Sequence, residues 1–352
     1  MEKTLKKFIK NKIKQDFLQY DFKINNFYKL LSYISLKNIL MFIVNYNNKL
    51  YFIYSDGDKR KKIIFNIFKK IIILLKNKNI INKNFFIPFF VSDSYFYHDN
   101  DIPILIEAKP CNKKGILFPD ITNFCFKINN NKYNYDEFIN LIKKKCKLNL
   151  IKKPLLYFKG ANTGADKHNI RLKLYELSKN NQNYKINIGE KFIPIYKFCK
   201  YKYLLNLPGN QPWSYRFMQI LNMNSLVIDI NVLQSYNNGK TFNDKWITFF
   251  SNFFIPNKHY IEINYKWIEN ITPDSNVIEI YRELNNIFNY YEKYNNEYNK
   301  IVEKCMKQVS YFNIYVYQYT IYKIILHFIN KLYEYNDEHE INKFIEEIIN
   351  LV

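Results

Sequence analysis

Two short segments in the second half of this 352-residue sequence combine residue types suited to holding phosphate. In the first, the β-prone run Leu155-Leu156-Tyr157-Phe158 opens into Lys159-Gly160-Ala161-Asn162-Thr163-Gly164. Gly160 and Gly164 allow close backbone approach, Asn162 and Thr163 donate or accept hydrogen bonds, and Lys159 supplies charge. A strand that enters such a loop and then a helix presents main-chain N–H groups and a positive dipole end to an anion. In the second, the loop Pro208-Gly209-Asn210-Gln211-Pro212 precedes an expected helix from Trp213 to Met223. Pro212 suits a first helical turn, so Ser214 and Arg216 fall near the N-terminus, where a hydroxyl and a forked guanidinium could both reach a pyrophosphate. An arginine at the positive end of a helix is unfavourable by itself, and an anionic ligand would account for it. The competing accounts are a purely structural glycine turn and an arginine that extends into solvent.

The surrounding elements read as alternating strands and helices. Leu50 to Tyr54 is β-prone and stops at the turn Ser55-Asp56-Gly57-Asp58. Ile64, Ile67, Phe68, Ile71, Ile72 and Leu75 then recur at helical spacing. Phe86 to Val91 and Ile102 to Ile106 read as strands, and a helix is expected from Asp136 to about Lys145. A boundary near Ile151 separates a second set, with a helix from about Asn169 to Ser178 and strands at Tyr201 to Leu207 and Ser225 to Asp229. From Val277 onward the pattern is helical, ending in a helix around Ile341 to Leu351. Strand–helix alternation implies an α/β fold, and the length suits two domains.

Composition excludes little. The formal charge of +22 would suit a polyanion, but lysine is spread along the whole length, as expected when coding DNA is poor in G and C. A basic nucleic-acid-binding protein is therefore the alternative class, although no dedicated nucleic-acid partner is expected. Five cysteines without C-x-x-C spacing indicate neither a zinc site nor a disulfide framework, so free thiols in a reducing compartment are expected. His98, His168, His327 and His339 lack metal spacing. Apolar runs such as Ile71 to Leu75 are far shorter than a membrane span, and no secretion signal is evident, which suggests a cytoplasmic protein, at most peripheral to membranes.

The run Cys199-Lys200-Tyr201-Lys202-Tyr203-Leu204-Leu205-Asn206, then Gly209 and Ser214-Tyr215-Arg216-Phe217, resembles the signature of glycosyltransferase family 90. That family includes protein O-glucosyltransferases and O-xylosyltransferases and capsule- and lipopolysaccharide-modifying enzymes. Tyr157 to Thr163 is similar to its Phe-Arg-Gly-Ser loop, Asp244-Lys245-Trp246 through Phe250 to its Trp-x-x-Phe-Phe segment, and Pro256 to His259-Tyr260 to its Pro-x-x-His-Tyr. The matched segments run in family order from about Asp93 to Tyr260.

The resemblance implies a GT-B architecture: two Rossmann-like domains facing a cleft, with C-terminal helices packing back across both. On this reading residues 1–150 form the acceptor-side domain, 151–300 the nucleotide-sugar-binding domain and 301–352 the closing helices. It also implies an inverting transfer of a hexose or pentose from a UDP-sugar co-substrate to a hydroxyl of a glycan, lipid-linked saccharide or protein. No metal or other cofactor is required if Lys159 and Arg216 neutralise the departing diphosphate. The donor set comprises Lys159 through Gly164, Gly209, Ser214, Tyr215, Arg216 and His259. Inversion needs a carboxylate base. The catalytic Asp of the animal O-glucosyltransferases matches Gly115 here, so Asp120 or Asp93 is the candidate, or the chain is a catalytically silent relative. Lys159 also stands where the family has arginine, which keeps charge but loses the bidentate fork.

Overall fold

Both expected phosphate-facing segments lie on one parallel sheet. The computed structural model describes residues 2–34, 40–54, 59–91, 101–120, 126–128, 131–146, 151–162, 169–189, 193–209, 214, 216–232, 234–237, 240–243, 245–265 and 273–350. The chain divides into two compact units, one of Met1–Cys125 with Ile314–Val352 and one of Phe126–Asn313. The cuts therefore fall elsewhere than the expected 150 and 300. The segment 126–150 belongs with the second unit because the helix Tyr135–Lys145 packs there, and the last two helices belong with the first.

In the second unit the strands run Tyr184–Ile188, Lys153–Gly160, Tyr201–Asn206, Leu226–Val232, Ile261–Tyr265 across the sheet, every pair parallel. Numbered along the chain this is the doubly wound order 2-1-3-4-5, whose strand order reverses between Lys153–Gly160 and Tyr201–Asn206. Side-chain alternation sorts the sheet into two faces. Leu156, Phe158, Leu205, Ile228, Ile230, Ile261 and Ile263 share an apolar core with Leu174 of the helix Ile170–Ser178, Ile280 of Pro273–Lys293 and Ile301 of Asn295–Val309. The expected strand at Leu155–Phe158 runs on through Lys159 and Gly160, which are strand residues and not loop.

Local chemistry explains the helix starts. Asn134 accepts the Glu137 N–H at 3.0 Å while Glu137 Oε2 accepts the Asn134 N–H at 2.7 Å, a reciprocal cap on Tyr135–Lys145. Asp136 and Glu137 in its first turn and Lys143 to Lys145 in its last complement the dipole. The expected helix from Trp213 to Met223 is shorter, Arg216–Ile220, followed by a 3₁₀ turn Leu221–Met223. Asn224, in the left-handed region at φ 52°, closes it.

The first unit has a mixed sheet in the order Lys49–Tyr54, Leu40–Tyr46, Phe85–Phe90, Leu105–Ile106, Ile116–Leu117. Leu40–Tyr46 is antiparallel to both neighbours and the remaining pairs are parallel. This sheet departs from an all-parallel Rossmann layer. The helix Lys59–Asn77 forms where periodicity predicts it, whereas the strand expected over 102–106 shrinks to Leu105–Ile106. Helices Lys3–Phe17, Ile24–Ile34, Ile314–Tyr335 and Glu338–Asn350 supply Phe17, Phe27, Phe328 and Phe344 to a ring-on-ring core with Phe22 and Phe86. Among the described residues no helix is long and apolar enough to cross a membrane.

The expectation of free thiols is corrected. Cys146 and Cys199 form a disulfide with Cα atoms 5.9 Å apart, joining the end of the helix Tyr135–Lys145 to the turn Ile195–Lys200 that leads into Tyr201–Asn206. A separation of 53 residues carries no spacing signature, so only tertiary packing reveals the pair. Cys111 is exposed and Cys305 buried.

Candidate functional site

The carboxyl ends of Lys153–Gly160 and Tyr201–Asn206 flank the point where strand order reverses, the place at which open α/β sheets bind ligands. Gly160 ends the first strand. A Cβ there would stand 2.7 Å from Phe158 Cζ and 3.4 Å from Arg216 Nη2, so only glycine lets the Phe158 ring and the guanidinium lie against the main chain. Arg216 opens the helix Arg216–Ile220, with its own N–H donated to Ser214 Oγ at 3.2 Å. Its guanidinium carbon lies 4.9 Å from the Phe158 ring centroid and 5.9 Å from that of Phe198.

This guanidinium is poorly compensated. The residue is half-buried overall, yet its Nη1 is sealed from solvent and has no hydrogen-bond partner among the described residues. Burial pulls its pKa down to about 10, the charge of Arg171 pushes the same way, and the Tyr157 phenol opposes. Among the described residues no carboxylate joins that set, although a buried cation normally has one or an equivalent anion.

Arg171 is the residue that sequence reasoning missed. It lies in the first turn of Ile170–Ser178, donates from Nη1 to Ala161 O at 3.0 Å and from Nη2 to Leu207 O at 3.4 Å, and thereby ties together the segments that follow the two strands. Its guanidinium carbon is 5.3 Å from the same Phe158 ring. Two guanidiniums thus share one ring. The available signal was a cation at the second residue of an expected helix, the same anomaly that drew attention to Arg216.

The other predicted residues divide. Lys159 alternates to the face opposite Phe158 and Gly160, and its ammonium donates to Gly189 O at 3.3 Å. Asn162 Oδ1 accepts from Asn169 Nδ2 at 2.9 Å, while Asn169 Oδ1 accepts the Leu172 N–H and caps the helix. Gly209 and Ser214 lie on the segment that leads to Arg216. Thr163, Gly164, Tyr215 and Asp93 lie outside the described residues. His259 is buried, and its Nδ1 accepts the Ile255 N–H at 2.8 Å, which fixes the turn before Ile261–Tyr265. Burial, then Lys258 and Lys304, push its pKa to about 4, so the ring is neutral.

In the first unit Asp120 is buried just after Ile116–Leu117. Gly115 has φ +157°, and a Cβ there would collide with Ile106 Cδ1. The Lys109 ammonium also donates to Gly115 O at 2.9 Å while pairing with Asp16 at 3.3 Å. A side chain at the position that matches the family's Asp would have to displace the end of Ile106 from a backbone conformation that L residues rarely adopt.

No curated protein matches the chain. The sequence profile described as glycosyl transferase family 90 matches residues 90–274, a span that contains the Gly115 turn, both strand ends, Arg171 and Arg216. With more than half of its length matched, the chain belongs to glycosyl transferase family 90.

Proposed function

We propose that the unit Phe126–Asn313 binds a UDP-sugar with its diphosphate against Arg216, and that the chain transfers the sugar with inversion to a hydroxyl of a glycan, lipid-linked saccharide or protein. The observation that carries this reading is the buried Arg216 Nη1, which lacks a partner among the described residues, feels the like charge of Arg171, and sits at the reversal point of a doubly wound sheet. A diphosphate supplies the missing anion and accepts from a planar fork in bidentate fashion. In an in-line displacement the sugar–oxygen bond to the diphosphate breaks as the acceptor oxygen bonds to the anomeric carbon, and the acceptor proton passes to a carboxylate. Arg216 neutralises the charge that grows on the leaving oxygen, so the step runs without a metal. Asp120 is the candidate base among the described residues, with Asp93 as the other candidate.

Titration of UDP into the parent and the Arg216→Ala variant tests the donor site. Equal affinity in the two proteins refutes it. The closed Gly115 position favours a second reading, a relative that binds nucleotide sugar without transferring it. UDP binding together with no sugar release from any UDP-sugar, with or without acceptor, would select that reading.

A further inference from the structure

Strand register aligns Asn206 with Asp229 and Asp229 with Glu262, three polar side chains in a row on the sheet face opposite the apolar core. Their partners differ. Glu262 is satisfied: Lys245 pairs with it, the Tyr260 hydroxyl donates to Oε2 at 2.8 Å and Asn264 Nδ2 donates to Oε1 at 2.8 Å. Asn206 Nδ2 donates to Asp229 Oδ1 at 2.7 Å. Because a carboxylate can only accept, this bond fixes the amide orientation and turns Asn206 Oδ1 away from Asp229. That oxygen is sealed from solvent with no hydrogen-bond partner among the described residues, on a residue only 5% exposed. Burial lifts the Asp229 pKa from 3.8 to about 6, while hydrogen bonds from Asn206 and Asn231 and the charge of Lys245 pull it down. The row thus holds one buried acceptor, Asn206 Oδ1, without a donor among the described residues, beside a carboxylate with further acceptor capacity. The residue after Asn206 is Leu207, whose carbonyl takes Arg171 Nη2, so the row adjoins the phosphate-facing crevice along the chain.

We propose that Asn206 and Asp229 form a hydroxyl-binding subsite for the nucleotide-sugar donor, in which Asn206 Oδ1 and the Asp229 carboxylate each accept an O–H of that ligand. The assignment rests on the donor reading above and names the part of the ligand that the row recognises. A hydroxyl is the fitting group because the acceptors need donors, and a site built this way rejects ligands that lack the O–H by leaving buried acceptors unpaired.

The test is a cycle between protein and ligand. UDP, its 2′-deoxy and 3′-deoxy forms and UDP-glucose are titrated into the parent, Asn206→Leu and Asn206→Leu/Asp229→Leu. The double variant removes both members of the Asn206–Asp229 hydrogen bond at once, so that neither is left facing a lost partner of that bond. In the parent, loss of the recognised hydroxyl weakens binding about tenfold, the scale of one neutral hydrogen bond, and in the variants its loss changes nothing. A deoxy effect with UDP places a ribose hydroxyl in the subsite. A loss in the variants confined to UDP-glucose places a sugar hydroxyl there. If both variants keep the parent's affinities and the same deoxy penalty, the row holds an ordered water only and the subsite is refuted. A parent that binds no UDP overturns the donor reading itself, whereas loss of UDP binding in Arg216→Ala with no coupling at Asn206 overturns the subsite alone.

Discussion

Replacement of Arg216 by methionine should make the free protein more stable while it destroys nucleotide binding. The buried Nη1 without a partner costs about 1–3 kcal/mol, and Arg171 adds repulsion that solvent screens only in part. Methionine keeps most of the stem packing against Phe158 and Phe198 and removes the charge. Each kcal/mol moves the melting temperature of a unit this size by about 2–4 °C, so allowing for some lost packing a rise of about 2–6 °C is expected. The same change deletes two charge-assisted hydrogen bonds to diphosphate, together about 3 kcal/mol or more, and UDP affinity should fall at least ~100-fold. Differential scanning fluorimetry with and without UDP reads both effects, since a ligand that binds only the folded state raises the melting temperature in proportion to its saturation. A variant that melts lower than the parent and is still stabilised by UDP would refute the claim that Arg216 waits for an anion.

Gly115→Asp should destabilise the first unit by more than about 2 kcal/mol, because a side chain there meets Ile106 from a backbone conformation that disfavours one; an unchanged urea midpoint would contradict the geometry. Asp229 holds a proton between pH 3.8 and about 6 that the unfolded chain has released, so its stabilisation is full below 3.8 and is lost as pH rises through about 6. Asp229→Asn should flatten that decline by up to roughly 3 kcal/mol in urea melts across the window, and an unaltered pH profile would show that the group is not held there. Cys146→Ser should cost about 2–4 kcal/mol, equal to the effect of reductant on the parent, and peptide mapping without reductant should link Cys146 to Cys199; two free thiols at these positions would reject the pairing.

Sequence alone reached the local grammar of the second unit. Apolar runs and turn residues marked Tyr201–Asn206 and Leu226–Val232, helical spacing marked Ile170–Ser178, and the anomaly of a cation at a helix start singled out Arg216. The strands Tyr184–Ile188 and Ile261–Tyr265 went unread because they are short and their alternation includes lysine, glutamate or asparagine. Local pattern marks Arg171 only as a cation near a helix start; its importance lies in bonds to Ala161 and Leu207, which belong to two different strand ends.

What the sequence determined by itself was the family, the α/β alternation and the anomaly of an arginine at an expected helix start, because these depend on residue type and near-neighbour spacing. Strand order, the Lys159 bond to Gly189, the Cys146–Cys199 bond and the unmet acceptor on Asn206 were decided only by tertiary structure. Each depends on which backbones lie side by side, and that is set by cooperative packing of the whole core rather than by any one segment.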